Sequence, residues 1–146
     1  HRNTGVRLSS NSSKRRKRNC RLKSQHNRIL GKTGEDLAAA WLTGHGFRVV
    51  VRNFQTLYGE LDIIAEKEGQ LHVVEVKTRR TTAFGDPLEA ISLSKQEHLK
   101  RSTQAMALLK IPGVRYPVRS IHIDAISILM DETAAPSIIF VGDILA

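Results

Sequence analysis

The 146 residues carry 23 Lys or Arg against 14 Asp or Glu, a formal net charge of +9. A chain of this length supports one domain around a single core rather than two independent ones. No apolar run approaches the ~20 residues that span a bilayer, and no hydrophobic signal core stands near the start. The sequence therefore predicts a cytoplasmic protein with no membrane partner, and the single Cys20, which has no internal disulfide partner, agrees with a reducing compartment.

The charge is uneven. Residues 1–28 hold ten Lys or Arg and no acid, whereas the other 118 hold 13 Lys or Arg against 14 Asp or Glu. Residues 1–26 are rich in Ser, Asn, Arg and Lys and poor in large apolar side chains. Such a segment buries too little surface to offset its ordering entropy. The reading is a disordered basic tail over 1–26 ahead of an α/β domain over 27–146. The run Lys14-Arg15-Arg16-Lys17-Arg18 suits phosphate contact, an address signal, an upstream extension or a solvated tail without a dedicated role.

Leu30, Gly34, Leu37, Ala38 and Trp41 recur at helical spacing and predict a helix over 28–43, with Glu35 at the edge of its apolar stripe. Gly44 and Gly46 end it, and the β-branched run from Phe47 to Asn53 reads as a first strand. The next stretch, residues 59–78, is two apolar runs separated by Glu68-Gly69, a hairpin turn. It carries Glu60, Asp62, Glu75 and Lys77 among Leu61, Ile63, Ile64, Val73, Val74 and Val76. Burying an ion costs several kcal/mol unless it is paired or bound to metal, so these charges need a reason. With the turn at Glu68-Gly69, cross-strand partners have numbers summing to 137. That register sets Asp62 against Glu75, Glu60 against Lys77 and Ile64 against Val73 on one face. Leu61 with Val76 and Ile63 with Val74 then form ordinary core on the other. An odd-length loop would slip the register and destroy this arrangement.

Thr78 to Asp86 is polar and reads as an exposed loop, and Pro87 to Leu93 as short helical or irregular chain. A second helix is predicted from Ser94, where Ser94 and Glu97 form a capping box, to about Leu109, with Leu99, Met106 and Leu109 inward. Arg119–Met130 and Ser137–Val141 read as two further strands. Helix, three strands, helix, two strands predicts an α/β fold with a mixed sheet of about five strands flanked by helices.

Two facing carboxylates supply hard oxygen ligands of the kind that hold Mg²⁺ or Mn²⁺ in phosphoryl chemistry. Lys77 lies two residues from Glu75 and so projects to the same face, where its ammonium could hold a nucleophilic water or stabilise transition-state charge. The string Glu35, Gly59-Glu60-Leu61-Asp62, Val74-Glu75-Val76-Lys77-Thr78-Arg79, Gly85-Asp86-Pro87-Leu88-Glu89-Ala90 and Lys95 resembles the YraN-like bacterial proteins. These are a branch of the PD-(D/E)XK nuclease superfamily, near the archaeal Holliday-junction resolvases.

The resemblance covers residues 31 to about 128. It implies a restriction-endonuclease or resolvase-like sheet, with Asp62, Glu75 and the Val76 carbonyl holding the metal. It further implies Lys77 as the catalytic lysine, Glu35 as an additional metal-site acid and a role for Lys95. Two positions depart from the superfamily pattern: Leu61 stands where its proline does, and His122-Ile123-Asp124 where the family tends to Arg-Phe-Asp. Arg79, Arg80, Lys95, Lys100 and Arg101 leave from the charged end of the hairpin and are candidates for nucleic-acid phosphates.

The expected function is metal-dependent endonucleolytic cleavage of DNA, in its structure-selective form a junction resolvase working as a homodimer. The rival reading is a nucleic-acid-binding protein of recombination or repair with no catalysis. In that reading the tail provides affinity, Asp62 and Glu75 are solvated strand-end charges, Glu60–Lys77 is a cross-strand ion pair, and Glu35 serves the helix dipole.

Overall fold

The computed structural model describes residues 10–80, 91–131 and 133–145, with side chains in the first helix described from Lys14 onward apart from 26, 27, 29 and 30. The expectations for Thr81–Ala90, including the Gly85–Ala90 string, lie outside the described residues. Among the described residues two helices, α1 (Ser10–Gly44) and α2 (Leu93–Ala107), accompany five strands. The strands are β1 (Arg48–Thr56), β2 (Gly59–Lys67), β3 (Gln70–Arg79), β4 (Ile121–Leu129) and β5 (Ser137–Val141).

The strands form one sheet in the order β1-β2-β3-β4-β5. All neighbours are antiparallel except β3 and β4, which run parallel. The parallel pair follows from the crossover through α2, since an α-helical return brings the chain back in the same direction. The fold is the expected α/β mixed sheet flanked by helices.

Each face of the sheet has its own core. Ala38 and Leu42 of α1 pack with Ile63, Ala65, Val74, Ile126 and Ile128. Leu99 and Met106 of α2 pack with Leu61, Ile64, Leu71 and Val73. The hairpin turns on Glu68 and Gly69, both at positive φ (53° and 75°), the conformation that a two-residue turn of this hand requires. It sets Lys67 against Gln70, Ile64 against Val73 and Ile63 against Val74, the register expected from the sequence.

Four expectations are corrected. First, α1 starts at Ser10, so residues 10–26 are helical rather than disordered. The packed part anchored by Ala38 and Leu42 supplies the costly nucleus, and Lys, Arg and Gln propagate it outward with little penalty. Second, α2 is capped by Ser92, whose Oγ accepts from the Lys95 N–H at 3.1 Å, in place of the Ser94–Glu97 box. Third, α2 ends at Ala107, which leaves Leu109 54% exposed rather than inward. Fourth, strict alternation fails at Asp62. Leu61 packs with Ile64 beneath α2 rather than with Ile63 and Val74. On the neighbouring strand Asn53 is at φ 54°, while the β1–β2 ladder keeps its register from Arg52–Ile63 to Phe54–Leu61 and is irregular only between Val49 and Val51.

Candidate metal centre

The slip opens a seam at Asp62. The β2–β3 ladder stops at Ile63–Val74, and the Val76 N–H donates instead to Asp62 Oδ2 at 2.9 Å. A carboxylate thus replaces a strand carbonyl between two strands, and other acids gather on both sides of it. Carboxylate oxygens of Glu35, Glu60 and Asp62 lie within 4.8 Å of one another, and Asp62 also lies against Glu75.

Glu35 reaches the cluster because α1 comes very close to the end of β3. A Cβ on Gly34 would stand 1.9 Å from Thr78 Oγ1, so only glycine permits this approach. Asn53, with its amide turned to donate, bridges Glu35 Oε2 at 3.2 Å and Glu60 Oε1 at 2.8 Å. Arg52 lies 3.7 Å from Glu35 and 2.7 Å from Asp36. On the other side Lys95, in the first turn of α2, reaches Glu75 Oε1 at 3.3 Å.

The electrostatics show strain of charge. Glu75 is buried and its Oε2 has no hydrogen-bond donor among the described residues. Desolvation and the neighbouring Asp62 push its carboxyl up to about 8 against the pull of Lys95. Burial, then Asp62, and after them Glu60, raise Glu35 too, with Arg52 and Asn53 opposing. Acids packed this way hold protons or a cation. The donors are all oxygen, which suits a hard divalent cation such as Mg²⁺ or Mn²⁺. A Glu75 oxygen without a donor among the described residues adds to this all-oxygen donor set, so the residues present fit such an ion.

Asp62, Glu75 and Glu35 come together as expected. Glu60 differs. Its expected partner Lys77 is exposed and makes no ion pair among the described residues. Glu60 instead accepts from the Gln55 side chain across the β1–β2 pair and faces Glu35 and Asp62. Sequence reasoning missed it as a ligand because the register was extended past Ile63 without the slip. The left-handed Asn53, an Asx residue able to adopt that conformation, was the available signal.

Lys77 keeps the face of Glu75 by alternation. Of the expected phosphate contacts, Lys100 and Arg80 are exposed, Arg101 pairs with Glu97 at 3.3 Å, and Lys95 is engaged by Glu75. Arg79 is half-buried and reaches Ser127 Oγ at 3.4 Å.

Comparisons with known proteins place this arrangement. Residues 34–128 match the family described as the uncharacterised protein family UPF0102. A UPF0102 protein of Syntrophomonas wolfei is 44% identical over 106 residues, 73% of this chain and 89% of that protein. Another from Rhodococcus opacus is 38% identical over 121 residues, 81% of this chain and 97% of its own length. One from Bacteroides thetaiotaomicron is 44% identical over 97 residues, 66% of this chain and 77% of the relative. The matched span runs from Gly34, the glycine at the α1–β3 contact, through all the clustered carboxylates to Ile128 in β4. The chain belongs to the UPF0102 family, whose fold is that of the PD-(D/E)XK nucleases.

Proposed function

We propose that this protein is a divalent-cation-dependent endonuclease that hydrolyses DNA phosphodiester bonds. One observation carries the reading: four carboxylates, Glu35, Glu60, Asp62 and Glu75, converge on one seam, and one buried Glu75 oxygen has no donor among the described residues. Purely structural acids in a core are satisfied by donors; these are short of positive charge.

Asp62, Glu75, Glu60 and Glu35, with the Val76 carbonyl as a neighbouring donor, would hold Mg²⁺ or Mn²⁺. Such an ion, when bound, supplies Lewis-acid stabilisation of charge on phosphate oxygens. The chain's own groups do the rest. The Val76 N–H fixes Asp62, Asn53 holds Glu35 and Glu60 in place, and Lys95 orients Glu75. Lys77, exposed and unpaired among the described residues, lies two positions from Glu75 on β3, and its ammonium would orient a water or meet charge on the phosphate. A junction-selective version cuts two strands symmetrically and requires a two-fold dimer.

The test is Mg²⁺- or Mn²⁺-dependent cleavage of linear, forked and four-way DNA. Asp62→Asn and Lys77→Ala are each expected to lower the rate by at least about 10²-fold, the scale of losing a charge-stabilising group. Cleavage by both variants at the parental rate would sink the proposal, and a strict monomer on the four-way substrate would remove its resolvase form.

A further inference from the structure

Among the described side chains of α1, the buried ones all lie in its last third. Gly34, Ala38 and Leu42 are buried, while every described side chain from Lys14 to Gln25 is exposed. Within that exposed stretch Lys14, Lys17, Arg18 and Arg21 recur at three- and four-residue steps, and Arg28 and Lys32 continue the row. Residues so spaced share one helix face. The next step along the face is Glu35, which is also the first acid in the chain. The surface follows the same line. A groove of about 480 Å³ touches Lys17, Arg21 and Arg28. A second of about 630 Å³ starts at Arg28 and Lys32 and ends on Glu35, Arg52 and Asn53. None of the six cations is ion-paired with a described residue.

The row is specific about its partner. At ~1.5 Å per residue, Lys14 to Lys32 spans ~27 Å, close to one turn of B-form duplex at ~34 Å. No Phe, Tyr or Trp occurs before Trp41, so the arm offers no platform on which unpaired bases could stack. Leu22 is the one large apolar side chain between Lys14 and Gln25, so there is no apolar face to enter a bilayer. Unpaired, aligned charge without stacking or insertion groups fits the phosphate backbone of a duplex.

We propose that Lys14, Lys17, Arg18, Arg21, Arg28 and Lys32 form a track for duplex DNA that leads one backbone into the carboxylate seam at Glu35. This rests on the nuclease reading above and extends it to how the substrate is held. The test compares two triple variants of equal charge in the full chain. Lys17→Gln/Arg18→Gln/Arg21→Gln lies on the track; Arg15→Gln/Arg16→Gln/Lys23→Gln lies off it. Gln is a good helix former, and circular dichroism checks that both keep the helix.

Binding to a duplex of about 30 base pairs is measured across a salt series without divalent cation, with phosphatidylserine vesicles as a second arm. Removing one cation that neutralises a phosphate lowers the slope of log K against log salt by ~0.9. The on-track triple should therefore reduce the slope by about 2 to 3 and weaken binding by roughly tenfold or more near physiological salt. The off-track triple should stay within about twofold, since its charges act only through the screened field. Equal weakening in the two triples, no weakening on the track, no measurable duplex binding by the parent, or a larger effect on vesicles than on duplex would each overturn the proposal. Binding without cation does not depend on hydrolysis. Failure of the track is thus read separately from failure of the nuclease, which cleavage by Asp62→Asn reports.

Discussion

Two clusters of buried polar groups share β3 and its neighbours, and they are built in opposite ways. Toward the start of β3, His72 Nδ1 meets Asp124 Oδ2 at 2.6 Å, and Asp124 Oδ1 accepts the Asp143 N–H at 2.8 Å. His122 Nδ1 meets Asp143 Oδ1 at 2.6 Å, its Nε2 meets Ser120 Oγ at 2.9 Å, and its ring stacks on His72 at 4.9 Å. Asp124, 1% exposed, has a partner on each oxygen. Three residues further along β3, Glu75 keeps an oxygen without a donor among the described residues, beside an Asp62 that repels it. The first cluster is closed and holds β3, β4 and the C-terminal turn together. The second is open, and what it lacks is positive charge.

The contrast can be broken from either end. The largest effect is expected at the closed cluster. Asp124→Ala leaves His72 and the Asp143 N–H without their partner, two buried polar groups at ~1–3 kcal/mol each. A denaturant melt reads it, and a cost below about 1 kcal/mol would mean that the cluster does not bind the sheet together.

Next comes the α1–β3 contact that completes the open cluster. Gly34→Ala drives a Cβ into Thr78 Oγ1, and overpacking of this kind costs ~1–3 kcal/mol. It also pushes Glu35 away from Asp62, so Mn²⁺ should raise the melting temperature less than in the parent. Adding Thr78→Ala should recover much of both effects. A double variant no better than the single one would place the strain elsewhere.

The smallest effect is a pH dependence of stability. Glu75 stands near 8 in the folded chain against an ordinary 4.5, so the folded state binds the extra proton. Stability is therefore fully present below about 4.5 and falls as pH rises through about 8. Glu35, raised in the same direction, adds to the slope. Melts of the metal-free chain should drop by several degrees between about pH 5 and about pH 8. Mn²⁺ should restore the stability at the alkaline end, and Glu75→Gln should flatten the profile. A flat profile in the parent would mean that Glu75 is already neutralised by its neighbours.

Much of this was readable from residues alone. The turn at Glu68-Gly69 determined the hairpin register as far as Ile63–Val74, because period-2 geometry leaves little freedom once a two-residue loop is set; beyond that pair Asp62 meets the Val76 N–H rather than standing in the ladder opposite Glu75. β5 matched its expected bounds of Ser137 to Val141. The misses share a cause: they depend on something outside the local pattern. Leu61 changes sides beyond the point where the β2–β3 ladder ends at Ile63–Val74, and Glu60 joins the acids through an Asn53 side chain on another strand that bridges it to Glu35. Composition favoured disorder for residues 10–26, yet they continue a helix nucleated by packing about twenty residues later. Ser92 won the α2 cap over Ser94, a choice between two serines two positions apart that local propensity does not decide.

The continuity of α1 has a last consequence. One unbroken helix turns sequence distance into angle, at ~100° per residue. The wedge of Gly34 against Thr78 fixes the zero of that angle. A single residue added between Arg28 and Gly34 would swing every upstream cation by ~100° about the axis, and two would turn the row to nearly the opposite side of the helix. An insertion of seven brings it back to within ~20°. The segment joining arm to seam should therefore tolerate substitution far better than any change in its length, unless that change comes in steps of about two full turns.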